Sequence, residues 1–309
     1  MNKVLVTGGA GFIGSHTVDM LLGNETPVRV LDNFSSGHRS NLPGSHPLLE
    51  IVTGDITNQE TVTESMEGVS HCLHLAAQVS VVASFEDPVH SAMQNIMGFV
   101  NVITAAQNQG IERLVYASSA AIYGQPSEIP LPENAAKVQL SPYGLEKQVD
   151  EEYADLFARV HGLSSLGQRY FNVYGPRQDP RSPYAGVIAL FVDRTIEGQD
   201  ITVYGDGHQT RDFIYVEDVA RANLAALEGD VSGACNVGTG LQSTLLDLID
   251  VLARITGATP GIIHEPPREG DIRHSLANVE RMNQELGVRA QTSMEDGLRA
   301  LIEYSNPAN

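Results

Sequence analysis

Val4-Leu5-Val6-Thr7-Gly8-Gly9-Ala10-Gly11-Phe12-Ile13-Gly14 decides the fold. A short apolar run stops at a threonine, glycines follow in a G-x-x-G-x-x-G pattern, and a helical pattern opens at Phe12. Gly8, Gly11 and Gly14 suit a tight turn, a pyrophosphate lying against backbone amides at a helix N-terminus, and a helix packed close to its strand. The next apolar run, Val28 to Asp32, ends on a carboxylate. A carboxylate there accepts from adenosine ribose hydroxyls and repels a 2′-phosphate, which favours NAD over NADP. Glycine triplets alone are common turns; the order of strand, loop, helix and acid carries the reading.

Outward from this stretch, short apolar runs alternate with helical patterns. Strands are expected at Lys3 to Thr7, Val28 to Asp32, Leu49 to Thr53, His71 to Leu75 and Leu114 to Ala117, with helices from Phe12 and from about Pro88 to Gln109. A helix from Pro142 to about His161 and a strand from Ser164 to Tyr170 extend the series. Such alternation means βαβ units, a doubly wound parallel (Rossmann) sheet of the α/β class covered on both faces. After residue 171 turn-rich stretches such as Gly205-Asp206-Gly207 and Glu265-Pro266-Pro267 separate shorter elements. The expected division is a nucleotide-binding domain over 1–172 and a smaller substrate-binding domain over 173–309. Segments near 211–219 and 233–238 are strand-like and are candidates to return to the first domain's sheet.

The 309 residues are enough for about two domains. With 42% hydrophobic and 18% charged residues the chain is an ordinary globular one, not a disordered one. A formal charge of -19 repels phosphate backbones and anionic membrane surfaces, so neither nucleic acid nor a membrane is an expected partner. No apolar run approaches the length of a membrane span, and the residues before Gly8 are too few for a signal sequence, so a soluble cytoplasmic protein is expected. Cys72 and Cys235 read as buried free thiols. His71, Cys72 and His74 do not read as a metal site, because a strand sends neighbouring side chains to opposite faces.

Only three lysines occur, Lys3, Lys137 and Lys147, and one of them stands four residues after Tyr143. Positions i and i+4 share a helix face, so the phenol and the ammonium can act together. Just upstream, Tyr116-Ala117-Ser118-Ser119-Ala120-Ala121-Ile122-Tyr123-Gly124 runs a strand into paired hydroxyls. At the carboxyl end of a parallel strand such hydroxyls face the ligand crevice.

Together these residues resemble the extended short-chain dehydrogenase/reductases, and within them the NAD-dependent sugar-nucleotide epimerases, most nearly those acting on UDP-N-acetylglucosamine. The resemblance runs through Leu73-His74-Leu75-Ala76-Ala77, Arg169-Tyr170-Phe171-Asn172, Arg211-Asp212-Phe213 and Arg268-Glu269-Gly270-Asp271. It implies that Gly8, Gly11, Phe12, Ile13 and Gly14 hold the NAD pyrophosphate. Asp32 and Asn33 would take the adenosine ribose, Asp55 and Ile56 the adenine, and Leu75, Ala76, Ala77 and Asn95 the further length of the cofactor. Tyr143 and Lys147 would serve both cofactor and catalysis. Asn172, Tyr204, Arg211, Arg268 and Asp271 match positions that hold the uridine diphosphate, with Ser118 and Ser119 beside the sugar. A homodimer through helices near 90–109 and 142–161 is likewise implied.

The chemistry agrees with the resemblance. A tyrosine is a poor base at neutral pH and needs its pKa lowered by about 3 units, or about 4 kcal/mol, which Lys147 and a positive nicotinamide can supply. Tyr143 would take the proton of the sugar 4-hydroxyl while C4 gives hydride to NAD, with Ser119 bonded to the same oxygen. The 4-keto sugar would turn over and take the hydride back on its other face, so no net redox occurs. Related dehydratases and decarboxylases carry an acid after the strand-end hydroxyl; Ala120 and Ala121 stand there instead. A UDP-glucose 4-epimerase, another nucleotide-sugar epimerase or a dehydratase are the alternatives, and a non-catalytic NAD-binding regulator the remote one. Ser275 matches the position flanking the sugar's C2 substituent, where a small residue leaves room for an N-acetyl group.

Overall fold

The computed structural model describes residues 1–180, 186–267 and 272–306. It opens with β1 (Val4–Thr7), α1 (Phe12–Gly23), β2 (Val28–Asp32), β3 (Leu49–Thr53), α2 (Gln59–Met66) and β4 (His71–His74). There follow α3 (Val81–Glu86), α4 (Pro88–Ala92), a π-helical turn Met93–Met97, α5 (Gly98–Gln109), β5 (Arg113–Ser119), α6 (Pro142–His161) and β6 (Ser165–Tyr170). Next come β7 (Asn172–Tyr174), α7 (Val187–Ile196), β8 (Ile201–Tyr204), β9 (Thr210–Arg211), β10 (Phe213–Tyr215), α8 (Val216–Glu228) and β11 (Gly233–Val237). The chain continues with β12 (Ser243–Thr244), α9 (Leu245–Thr256), β13 (Ile262–Glu265), α10 (Glu280–Gln284) and α11 (Met294–Ser305).

Seven parallel strands form the central sheet in the order β11-β6-β5-β4-β1-β2-β3. The period of two in each strand sorts its side chains into two cores. Val4, Val6, Val28 and Val30 pack with Val18 and Leu21 of α1 and Val219 and Ala222 of α8. Leu5, Leu31, Cys72 and Leu114 face the other way, onto Val62 and Met66 of α2, Phe99 and Ile103 of α5 and Ala154 of α6. Burial on both faces is why these strands read as continuous apolar runs. A third core joins Tyr174, Phe191, Val203, Leu248 and Leu298 beyond the sheet.

Strand order reverses between β1 and β4, and in such sheets a crevice opens there at the carboxyl ends. The glycine loop and the strand-end serines both lie on that edge.

Of the two segments expected as candidates for this sheet, 233–238 contributes its edge strand β11. The segment 211–219 does not: β10 pairs with β7 in a separate two-stranded sheet, and α8 leaves from it to pack on α1. The helix expected over 88–109 is α4 and α5 joined by the π turn, which carries Asn95 into the interior. Helices α2 and α3 carry too thin an apolar face for periodicity to signal, with Val62, Ser65 and Met66 buried in one and Ser84 in the other.

Candidate active site

The glycine loop is shaped by close approaches. Gly8 sits at φ +69°, in the left-handed region, and a Cβ on it would lie 2.7 Å from Ala76 N. A Cβ on Gly14 would lie 2.2 Å from Gly8 O, so nothing larger lets α1 meet the loop. At Gly11 the added atom would meet only Gly8 O, at 3.2 Å, which leaves that side open. Gly11 caps α1 without any side-chain hydrogen bond. The first amides of this twelve-residue helix, from Phe12, Ile13 and Gly14, are therefore left for an anionic ligand, and the loop fits a pyrophosphate.

Asp32 Oδ2 accepts from Ala10 N at 2.9 Å and Oδ1 from Phe34 N at 2.8 Å, so the carboxylate braces the loop it faces. Asn33 Nδ2 donates to Asp55 Oδ2 at 2.8 Å, while Asp55 Oδ1 takes the Thr57 amide and hydroxyl. Ile56 is buried beneath them, its carbonyl accepting from Asn101 Nδ2 at 3.0 Å. After β4, Leu75 N and Ala76 N both donate to Thr7 Oγ1 at 3.2 Å. With two donors already on it, that hydroxyl gives its proton to His74 Nδ1 at 2.7 Å. His74 is thereby a neutral ring, its pKa pushed down to about 3 by burial and by the Lys147 charge. Asn95 clamps Gln78 beyond Ala77, accepting from its amide at 2.8 Å and donating to its carbonyl at 2.9 Å.

Helix α6 carries Tyr143 in its first turn. Ser141 caps it, accepting from Gly144 N at 3.1 Å, and Pro142 supplies the preformed first turn. Tyr143 N donates to Ser84 Oγ at 3.2 Å, which fixes α3 beside the phenol's backbone. The helix start also lies against the turn after β5, since a Cβ on Gly144 would come 2.8 Å from Ala121 O. Lys147 is buried and donates to Asp150 Oδ2 at 3.1 Å. Burial opposes its charge, but Asp150, Tyr143 and Glu146 outweigh that and raise its pKa.

The two serines take different roles, as strand alternation requires. Ser119 lies on the half-buried side and its Oγ accepts from Ala121 N at 3.1 Å. Ser118, expected beside the substrate, turns instead into the protein and donates to Glu151 Oε1 at 2.7 Å. Glu151 also takes a bidentate pair from Arg169, both contacts 2.8 Å, and Lys137 Nζ at 2.7 Å. Burial pushes against that carboxylate's charge, yet Arg169, Lys137 and Ser118 hold it below the ordinary range.

On the substrate side, Asn172 N donates to Asp212 O at 3.0 Å beside β10. Tyr204 borders a cavity of about 730 Å³ with Gln209 and Arg273, and Gln209 Oε1 is buried without a partner among the described residues. Thr210 of β9 bonds the backbone of Arg273 and Ser275, which sets Ser275 next to the strand that carries Arg211. Arg268 and Asp271 lie outside the described residues. Among those described, no group of three or more His, Cys, Asp or Glu could hold a metal ion, and no helix is long and apolar enough to cross a membrane.

Glu146, Asp212 and Asp150 are among the buried acids to which the sequence reading gave no role. Glu146 Oε2 accepts from Ser91 Oγ at 2.8 Å and Asn95 Nδ2 at 2.6 Å. Asp212 accepts from Thr239 N, Gly240 N and Ala277 N, tying the segment after Ser275 in place. Asp150 follows Tyr143 by seven residues, a same-face spacing that the sequence does display.

Residues 4–238 match the NAD dependent epimerase/dehydratase family. Over 308 residues the chain is 38% identical to a putative UDP-glucose 4-epimerase of Methanocaldococcus jannaschii, covering 99% of each. Its structure superposes on UDP-N-acetylglucosamine 4-epimerase from Methanobrevibacter ruminantium with a TM-score of 0.96, at 35% identity, over 99% of this chain and 98% of that one. It also superposes on Thermus thermophilus UDP-glucose 4-epimerase in complex with NAD, with a TM-score of 0.92 at 37% identity, over 99% and 100%.

Proposed function

The chain belongs to the NAD dependent epimerase/dehydratase family, and from that premise we propose that it inverts carbon 4 of UDP-hexoses, with UDP-N-acetylglucosamine and UDP-N-acetylgalactosamine as its preferred pair. What supports the reading is Tyr143 four residues before a buried Lys147 on one helix, the start of that helix packed against the turn that follows Ser119, and Ala120 and Ala121 where the resemblance places an acid in eliminating enzymes. Relatives named for UDP-glucose and for UDP-N-acetylglucosamine support the nucleotide sugar and the 4-epimerisation.

Gly8, Gly11, Phe12, Ile13 and Gly14 would hold the NAD pyrophosphate, Asp32, Asn33, Asp55 and Ile56 its adenosine, and Leu75, Ala76, Ala77 and Asn95 the path onward. Bound there, NAD supplies a reversible hydride acceptor. Tyr143 takes the 4-hydroxyl proton and later returns it, Ser119 bonds the same oxygen, and the Lys147 ammonium stabilises the phenolate. Asn172, Tyr204 and Arg211, with Arg268 and Asp271, would anchor the uridine diphosphate. A homodimer through α4 to α6 belongs to the same reading.

Substrate size rests on Ser275, a small side chain held beside Arg211. A larger pocket weakens a smaller sugar by about 1 to 3 kcal/mol, which is preference and not exclusion. Ser275→Tyr should suppress kcat/KM for the N-acetylated pair while keeping that for UDP-glucose and UDP-galactose. Full activity of the variant on UDP-N-acetylglucosamine would remove Ser275 from substrate choice.

A further inference from the structure

Tyr143, Lys147 and Asp150 stand at i, i+4 and i+7 on α6, so they form one stripe along one helix face. Lys147 and Asp150 are 3% and 1% exposed at their side chains, and Nζ meets Oδ2 at 3.1 Å. The ammonium expected to act on Tyr143 therefore has a carboxylate on its far side, in a place without water to screen either charge. Asp150 Oδ1 has no hydrogen-bond partner among the described residues, and neither has Glu146 Oε1.

Resting on the assignment of Tyr143 and Lys147 as the acid-base pair, we propose that Asp150 is a positioning residue. It is the buried counter-ion that keeps Lys147 charged and sets how much of the ammonium's field reaches the phenol.

On α6, Lys147 is faced by Tyr143, Glu146 and Asp150, and Asp150 also by Glu151. From β4, His74 faces Lys147 but stays neutral above about 3. From β5, Tyr116 faces Asp150, and burial together with the Glu151 and Asp150 charges keeps it a phenol. Glu151 is matched by Arg169 of β6 and by Lys137, and Glu146 takes its hydrogen bonds from Ser91 and Asn95. Asp150 is thus the acid that Lys147 touches directly. Burial pushes Asp150 up to about 6, so its negative charge is present above that pH.

The sign follows from the charges. Removing the negative charge of Asp150 makes the phenolate easier to form, so the acid limb of activity moves to lower pH. The same change leaves the Lys147 ammonium without its counter-ion, so its proton also leaves at lower pH and the basic limb moves the same way. Seven helical residues span about 10 Å, and at an effective dielectric near 20 a unit charge at that distance shifts a titration by about one pH unit. The basic limb, governed by direct contact, should move further than the acid limb.

Asp150→Asn keeps the hydrogen-bond acceptor and removes the charge; Asp150→Glu keeps the charge. The test compares both holoenzymes with wild type in kcat and kcat/KM against pH. Without substrate, it also follows the near-ultraviolet phenolate absorbance, which no Trp obscures in this chain. The phenolate step of Tyr143 is the one that Tyr143→Phe abolishes. In Asp150→Asn that step and both limbs should move to lower pH, the acid limb by about one unit and tenfold in rate on its slope, while Asp150→Glu should stay near wild type. If Asp150→Asn does not fold, Asp150→Ser carries the same expectation. Lower activity with unmoved limbs and an unmoved phenolate step would make Asp150 a packing residue and overturn the proposal. Failure of wild type to epimerise would instead strike the reading on which the proposal rests.

Discussion

Ser141 and Pro142 set where α6 begins and so place Tyr143 in its first turn, while strand alternation turns Ser118 and Ser119 to opposite sides of β5. Removing the phenol oxygen takes away the proton acceptor and little else. Tyr143→Phe should lower kcat by about 10² to 10⁴ while UDP-sugar and NAD affinities stay within a few-fold. Calorimetric titration beside turnover assays checks both parts; equal activity would take Tyr143 out of the mechanism. The serines should separate along the lines of their partners. Ser119→Ala should reduce kcat with little loss of stability. Ser118→Ala leaves the buried Glu151 one donor short, so it should cost about 1 to 2 kcal/mol in urea unfolding with a smaller effect on kcat. The reverse ranking in kcat would return Ser118 to the substrate.

Helices α4 to α6 carry apolar side chains that their own fold does not use. Val89, Met93 and Met97 are exposed at intervals of four along α4 and the π turn, and Leu156 and Val160 are exposed at the same interval on α6. A stripe at that spacing is one helix face, and a second copy lying on it would bury these side chains. We expect a dimer by sedimentation, and Met97→Asp with Val160→Asp should give a folded monomer. An unchanged sedimentation coefficient in that double variant would place the interface elsewhere. The strands and α1 were legible because burial on both sheet faces leaves continuous apolar runs, and the glycine loop because backbone contacts of 2.7 and 2.2 Å admit no side chain at Gly8 or Gly14. The π turn was not legible: Asn95 enters the interior through a change of helical period that the apolar pattern does not record. Nor was the destination of β10, since three apolar residues suit the central sheet and the small one equally. The contacts of Asp150, Glu146 and Asp212 were beyond reach for a further reason, because acids in a chain with 38 of them read as solvated until their burial is known.

Over the whole molecule, an acidic chain of formal charge -19 repels an anionic nucleotide sugar except where its few cations gather. Strand order reverses between β1 and β4, with the glycine loop following β1 and Ser119 ending β5. A cycle that returns its hydride has no need to release the cofactor, so the purified protein should turn over without added NAD. Proton NMR of the protein with UDP-N-acetylglucosamine, and separately with UDP-glucose, tests this account most directly. The account predicts that anomeric signals of UDP-N-acetylgalactosamine grow in to a stable mixture with all oxygens retained, and that the UDP-glucose reaction is slower. No inversion of either sugar, with NAD absent or supplied, or a product that has lost water, would contradict it.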